Sequence, residues 1–215
     1  MTDIFNVSKI TAGQRNCPAW HHARKGRLTA STFGAVLKAK RVTPSLIKKL
    51  MGDYDLIGVQ AIAWGIDNEE MAVKAFTKVT GLSINETGLW LHESGILGAS
   101  PDGLVGDDAV LECKCPYTQR NGTIEEACKS KDFCLENING KYALKTTHVY
   151  WHQIQGQIYL TKRKYCYFVV WTVSDVVVIK IMRDKSWKQN LKILIDFYFH
   201  KLFPKIVEGE LYTYL

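Results

Sequence analysis

The period of the apolar positions changes several times along this chain, and each change marks an element. From Ile57 to Val79, Ile62, Ala63, Met71, Ala72, Ala75, Phe76 and Val79 recur at helical spacing, which predicts a long amphipathic helix ended by Gly81. Shorter helices are predicted to open at Thr29 or Ser31, acting as N-cap, and to run over 44–51 after Pro44. Residues 1–19 are a loosely patterned lead-in.

Past Gly81 the period shortens. Ser83 to Leu91, Ile96 to Ser100 and Ala109 to Cys115 alternate or are short and apolar, and read as strands. Residues 117–140 read as loop with one short helical piece, and Tyr142 to Leu160 as a helix. Tyr165 to Val173 and Val176 to Met182 are β-branched and aromatic around Ser174-Asp175, and predict a hairpin. Ser186 to Val207 closes the pattern as an amphipathic helix. This order predicts an α/β fold, a central mixed β-sheet flanked by helices, in one domain over 1–215.

The charges inside this pattern carry the chemistry. On a strand from Ala109 to Cys115, Glu112 and Lys114 share one face, while Leu111, Cys113 and Cys115 take the other. A turn at Gly106-Asp107-Asp108 folds Asp102 back beside Glu112. Two carboxylates and a lysine at a strand end suit Mg²⁺, a hard cation that keeps waters able to become nucleophiles. The same spacing also fits a solvated Glu-x-Lys ion pair after a common Pro-Asp-Gly turn. The apolar neighbours favour the site, because charges among them are costly unless they bind something.

Glu69, on the long helix, is a third carboxylate able to share that metal or hold a second one. Gln155, on the helix after the site strand, can orient a water or a phosphate. Arg24, Ser31, Ser100 and Arg120 lie beside helix starts and the site strand, where arginine forks and a helix N-terminus make a phosphate pocket. Cys128 and Cys134 with His148 and His152 could supply four zinc ligands, but without the short spacing of most zinc modules.

Composition narrows the partner. With 47% hydrophobic and 23% charged residues the chain is an ordinary globular sequence, and no apolar run is long enough for a membrane helix. The start shows no secretory pattern, so the six cysteines predict a reducing, intracellular compartment rather than a disulfide framework. A net charge of +7, with basic residues crowding the first quarter and Lys129 to Lys164, favours a polyanion.

Five blocks in order resemble the lambda-phage exonuclease, or YqaJ-type viral recombinase, family of the PD-(D/E)xK nuclease superfamily. They are Trp20-His-x-x-Arg24-x-Gly-x-x-Thr29-Ala-Ser31, Ala63-Trp-Gly-x-x-x-Glu69, Ser100-Pro-Asp102-Gly-Leu, Glu112-x-Lys114-Cys-Pro-x-Thr-x-Arg120 and Gln153-x-Gln155. The resemblance implies a restriction-endonuclease-like core and Mg²⁺-dependent degradation of one strand of linear duplex DNA from a 5′ end, with Mn²⁺ as a substitute, in recombination or end processing. It implies Asp102, Glu112 and the Cys113 carbonyl as metal ligands, with Glu69 contributing, Gln155 in support and Lys114 activating or positioning water. It implies Arg24, Ser31, Ser100 and Arg120 as a pocket for a terminal 5′-phosphate. A homo-oligomer, trimeric in the family, and a single-strand annealing partner are implied in the same way. The chain departs from the family after its last helix and around Lys129 to Lys141. Two other readings remain: a structure- or sequence-specific endonuclease on the same fold, and a catalytically inactive DNA-binding module.

Overall fold

The computed structural model describes residues 6–52 and 59–212. The chain enters through α1 (Val7–Ile10), a 3₁₀ turn at Gln14–Asn16 and α2 (Pro18–Arg24). The short strand β1 (Leu28–Thr29) leads into α3 (Ala30–Leu37), and α4 (Pro44–Met51) begins at its proline, with Thr43 capping Leu46 N. Then comes α5 (Gln60–Thr80); its expected start at Ile57 lies outside the described residues. Gly81 ends it in the left-handed region at φ +71°. Only the face of α5 bearing Ala72 and Phe76 is buried, whereas Met71 and Val79 are exposed.

The strands β2 (Trp90–Leu91), β3 (Leu97–Ala99), β4 (Gly103–Val105) and β5 (Ala109–Lys114) follow. The strand expected over Ser83 to Leu91 is mostly open loop, touching the sheet through one bridge from Asn85 to Leu104. A short helix α6 (Ile124–Ala127) carries a capping box of Thr123 and Glu126. Then β6 (Leu135–Ile138) and β7 (Lys141–Leu144) pair as a hairpin. This corrects the helix expected from Tyr142. Asn139 and Gly140 turn the chain at φ +52° and +81°, the left-handed pair that an Asn-Gly hairpin uses. The helix α7 (Val149–Leu160) starts only after His148, whose ring accepts from Tyr150 N.

The last elements are β8 (Tyr165–Trp171), β9 (Val176–Met182), a 3₁₀ turn at Ser186–Lys188, α8 (Gln189–Phe197) and α9 (Phe203–Tyr212). A π-helical segment, Tyr198–Leu202, interrupts the closing helix expected to be continuous.

The four-stranded sheet has the order β4-β5-β8-β9, with β5 and β8 parallel and the outer pairs antiparallel, so it is mixed. One face packs on α7 through Val110, Phe168, Ile154 and Ile158. The other packs on α5 through Leu111, Val169, Ala72 and Phe76. With both faces covered, β5 is buried along nearly its whole length. A third apolar cluster joins α3 to Trp187, Leu194 and Leu202. Among the described residues no helix is long and apolar enough to cross a membrane.

Helix α7 is thus pressed between the sheet and α3. Glycines make that approach possible. A Cβ on Gly34 would lie 2.6 Å from the Val149 carbonyl oxygen, and one on Gly156 would lie 2.6 Å from a Phe33 ring carbon. Gly34→Ala and Gly156→Ala are each expected to destabilise the fold by about 1–3 kcal/mol, because crowding a packed interface outweighs the helix propensity gained. Thermal melting checks this, and a melting temperature at or above that of the parent would refute the account.

Candidate active site

Residue Asp102 ends the loop before β4, and its backbone N–H donates to the Leu111 carbonyl at 2.9 Å. The β4–β5 register, Gly103 opposite Leu111, then sets its side chain against β5, where Oδ2 accepts from Cys113 N at 2.6 Å. The turn at Gly106 that makes this possible holds φ +54°.

Glu112 and Lys114 share the α7 face of β5. The Lys114 ammonium donates to Glu112 Oε1 at 2.6 Å, and that glutamate is only 2% exposed. Two amides from α7 complete its surroundings: Gln153 Nε2 donates to Oε1 at 2.5 Å and Gln157 Nε2 to Oε2 at 2.6 Å. Burial disfavours the charge on Lys114, but Glu112, Tyr150 and Asp102 outweigh it and hold the ammonium pKa above its ordinary value. The ammonium form of Lys114 is thus favoured by the acids around it in the cation-free protein. It lies 4.8 Å from the centre of the Tyr150 ring.

Gln155 does not join this group. It points the other way, donating to the Met182 carbonyl and accepting from Asp184 N, and so ties α7 to the end of β9. The reason is helical: residues 153 and 157 share a face, and 155 lies about 200° around from 153. Gln157 was missed in the sequence, although its four-residue spacing from Gln153 was there to be read.

The end of β5 opens into a cavity of about 470 Å³, lined by Cys113, Lys114 and Tyr150 and, across it, by Gly65 and Glu69 of α5. Glu69 is bound by Arg15 at 2.5 Å. Burial first, then the charges of Glu112 and Glu69, raise the Asp102 carboxyl well above its usual range. The three carboxylates are thus near enough to oppose one another's charge, which a divalent cation would relieve. Among the described residues no three His, Cys, Asp or Glu side chains are grouped so as to hold a metal ion between them. Mg²⁺ usually takes one or two carboxylates and fills its other positions with water and phosphate. The zinc set is not assembled: His148 caps α7, and His152 accepts from the Trp187 indole. The thiols of Cys115 and Cys134 at the cavity are pushed by burial up to about 11 and about 12, so both remain protonated.

The proposed phosphate ligands are partly gathered. The Trp20 indole donates to Ser100 Oγ at 2.9 Å, and the Arg24 guanidinium lies 4.2 Å from the centre of the same ring. Arg24 reaches Thr29 Oγ1 at 3.5 Å, which meets Ser31 Oγ at 3.2 Å. Thr29 is the N-cap of α3 by position, and its hydroxyl makes no cap bond. Burial pushes Arg24 down to about 10, and it has no carboxylate partner among the described residues. A half-buried guanidinium without a carboxylate is suited to receive an anion. Arg120 stands apart from this group, stacked 4.0 Å over Tyr117 and bonded to the Tyr117 carbonyl.

The sequence profile of the YqaJ-like viral recombinase domain matches residues 19–164. A curated relative, the alkaline nuclease of Autographa californica nuclear polyhedrosis virus, is 24% identical over 206 residues. That match takes in 86% of this chain and 48% of the nuclease, so the chain spans about half the length of that relative. Among solved structures, the alkaline exonuclease LHK-Exo of Laribacter hongkongensis is 25% identical, with a TM-score of 0.67 over 90% of this chain and 96% of that one. It has also been solved in complex with dAMP. A phage-related exonuclease from Haemophilus somnus, 16% identical, shares the fold with a TM-score of 0.58 over 86% of this chain and 96% of its own.

Two measurements check the site's electrostatics. A carboxyl whose proton is held more tightly in the folded state stabilises at low pH and loses that contribution as pH rises toward its folded pKa. With EDTA present, Asp102→Asn should therefore melt above the parent at mildly alkaline pH, the gap closing toward a pH of about 4. Gln157→Leu should raise the divalent-cation concentration needed for binding, whereas Gln155→Leu should lower thermal stability and leave that requirement unchanged. Calorimetric metal titration distinguishes the two, and equal shifts would undo the assignment of roles.

Proposed function

The chain belongs to the YqaJ-like viral recombinase domain family, and we propose that it is a divalent-cation-dependent exodeoxyribonuclease acting on linear duplex DNA from 5′ ends. One observation carries the reading: Asp102, bonded to Cys113 N, and the buried, triply held Glu112 flank the end of a parallel strand whose last residues, Cys113 and Lys114, line an open cavity with Glu69 across it. Ligands of α/β sheets bind outside the carboxyl ends of such strands. The net charge of +7 and the nuclease names of the relatives support a nucleic-acid substrate.

In this reading Asp102, Glu112 and the Cys113 carbonyl hold Mg²⁺, or Mn²⁺ in its place, with Glu69 contributing from α5. Such a cation neutralises a phosphodiester and acidifies a bound water. Gln153 and Gln157 keep both Glu112 oxygens in fixed directions. Lys114, held as a cation, offsets negative charge gathering on the attacking oxygen and the phosphate, rather than removing a proton. Arg24, Ser31 and Ser100 take the terminal 5′-phosphate, with Trp20 holding the serine and backing the guanidinium. Arg120 approaches from the Tyr117 side when DNA is bound. A homo-oligomer and a single-strand annealing partner fit the same reading.

The test is a time course on matched linear and circular duplexes bearing 5′-phosphate or 5′-hydroxyl. Linear 5′-phosphorylated DNA should be degraded fastest, and only with Mg²⁺ or Mn²⁺. Lys114→Ala should lose turnover by a factor on the order of 10² or more while still binding DNA. Arg24→Ala should slow the phosphorylated substrate far more than the hydroxylated one. Full activity in excess EDTA would sink the metal role. Equal rates on both ends, or cutting of circles, would point to a structure- or sequence-specific endonuclease on the same fold.

A further inference from the structure

The segment ahead of α2 is strained where it crosses the site. Gln14 holds φ at +44°, a left-handed conformation uncommon for a residue with a Cβ. Such strain persists only where the surroundings impose it. Here they do: the Gln14 amide donates to the carbonyls of Thr87 at 2.9 Å and Pro101 at 2.8 Å. Pro101 immediately precedes Asp102, so the strained residue is clamped to the backbone that aims this carboxylate.

The clamp sets the next residue. Arg15 Nη2 lies 2.5 Å from Glu69 Oε2, and the Arg15 carbonyl meets the His21 ring nitrogen at 2.9 Å. A few residues on, the same strap carries Trp20 and Arg24 of the anion pocket. One segment thus carries both the partner of the third carboxylate and, through Trp20 and Arg24, part of the place where a terminal phosphate would be held. The Arg15–Glu69 pair is about a third exposed on each side, and such pairs add little to stability. Stability does not explain why a strained residue holds it.

A guanidinium on Glu69 is a monovalent substitute for a stronger cation. When a divalent cation claims Glu69, Arg15 loses its carboxylate and is left an uncompensated cation next to a cavity-lining residue, free to take another anion. We propose that Arg15 is a nucleic-acid-binding residue held in reserve: it pairs with Glu69 in the cation-free protein and contacts a backbone phosphate once a divalent cation occupies Glu69. This rests on the reading of Asp102, Glu112 and Glu69 as a cation site for a polynucleotide.

The experiment measures binding of a labelled duplex to the full chain across a salt series, in EDTA and in Ca²⁺, which takes the same class of oxygen ligands. Thermal melting with and without Ca²⁺ reports cation binding independently. Arg15→Gln should weaken DNA binding roughly tenfold in Ca²⁺, lower the salt slope there by about one, and leave binding in EDTA unchanged. Glu69→Gln should do the converse, tightening binding in EDTA by freeing Arg15. Arg15→Lys, which keeps the charge but not the fork, should fall between Arg15→Gln and the parent in Ca²⁺. If Arg15→Gln weakens binding equally in both conditions, or Glu69→Gln leaves EDTA binding unchanged, the reserve role is wrong while the cation site stands. If Ca²⁺ does not shift the melting temperature of the parent, the cation reading fails and takes this inference with it.

Discussion

Everything at this site depends on keeping one carboxylate where water cannot reach it. Glu112 is almost fully buried, a position that costs several kcal/mol for an unpaired charge. Lys114 and the amides of Gln153 and Gln157 offset that cost, and each comes from a defined element: the ammonium from the same strand, the amides from α7. The amide of Gln157 is turned toward the carboxylate even though its own oxygen is buried without a partner. An orphaned acceptor costs about 1–3 kcal/mol, so the need for a donor at Glu112 outweighs it. The close seat of α7 between the sheet and α3 follows from the same requirement, since a looser helix would carry the amides out of reach.

The division of labour across β5 is a second consequence. Its α7 face fixes Glu112 and Lys114; its α5 face carries Leu111 and Cys113 into the apolar cluster around Phe76. Asp102 and Glu69 reach the strand end from other elements, one from the loop before β4 and one from α5. Positions within the layers are rigid. Glu69, by contrast, is held among the described residues by an exposed arginine.

The neighbourhood of Asp102, Glu112 and Lys114 was legible because strand alternation and a glycine turn are local, and local rules suffice to place them. The hairpin at Asn139-Gly140 was equally legible, but the apolar spacing from Tyr142 onward suggested a longer α7, and periodicity overrode turn chemistry. Gln155 was chosen over its neighbours by sequence position, when helical phase separates it from Gln153 and Gln157. Met71 and Val79 continue a helical pattern that tertiary packing leaves in solvent. Gln14 and Arg15 gave no local signal. Their role comes from contacts with Thr87, Pro101 and Glu69, more than fifty residues away, which no periodicity encodes.

The parallel pairing of β5 with β8 also sets when the site comes into being. Every residue from Ala109 to Lys114 is matched to one between Tyr165 and Val170, with a hairpin and α7 between them. Such crossovers close late, because a long loop must be ordered before its contacts stabilise anything. A ribosome-bound chain that has emerged only as far as Lys114 has its carboxylates and lysine, but neither the amides that hold Glu112 nor the strand that buries it. The site is therefore assembled with the last stages of folding rather than with synthesis of the residues that form it.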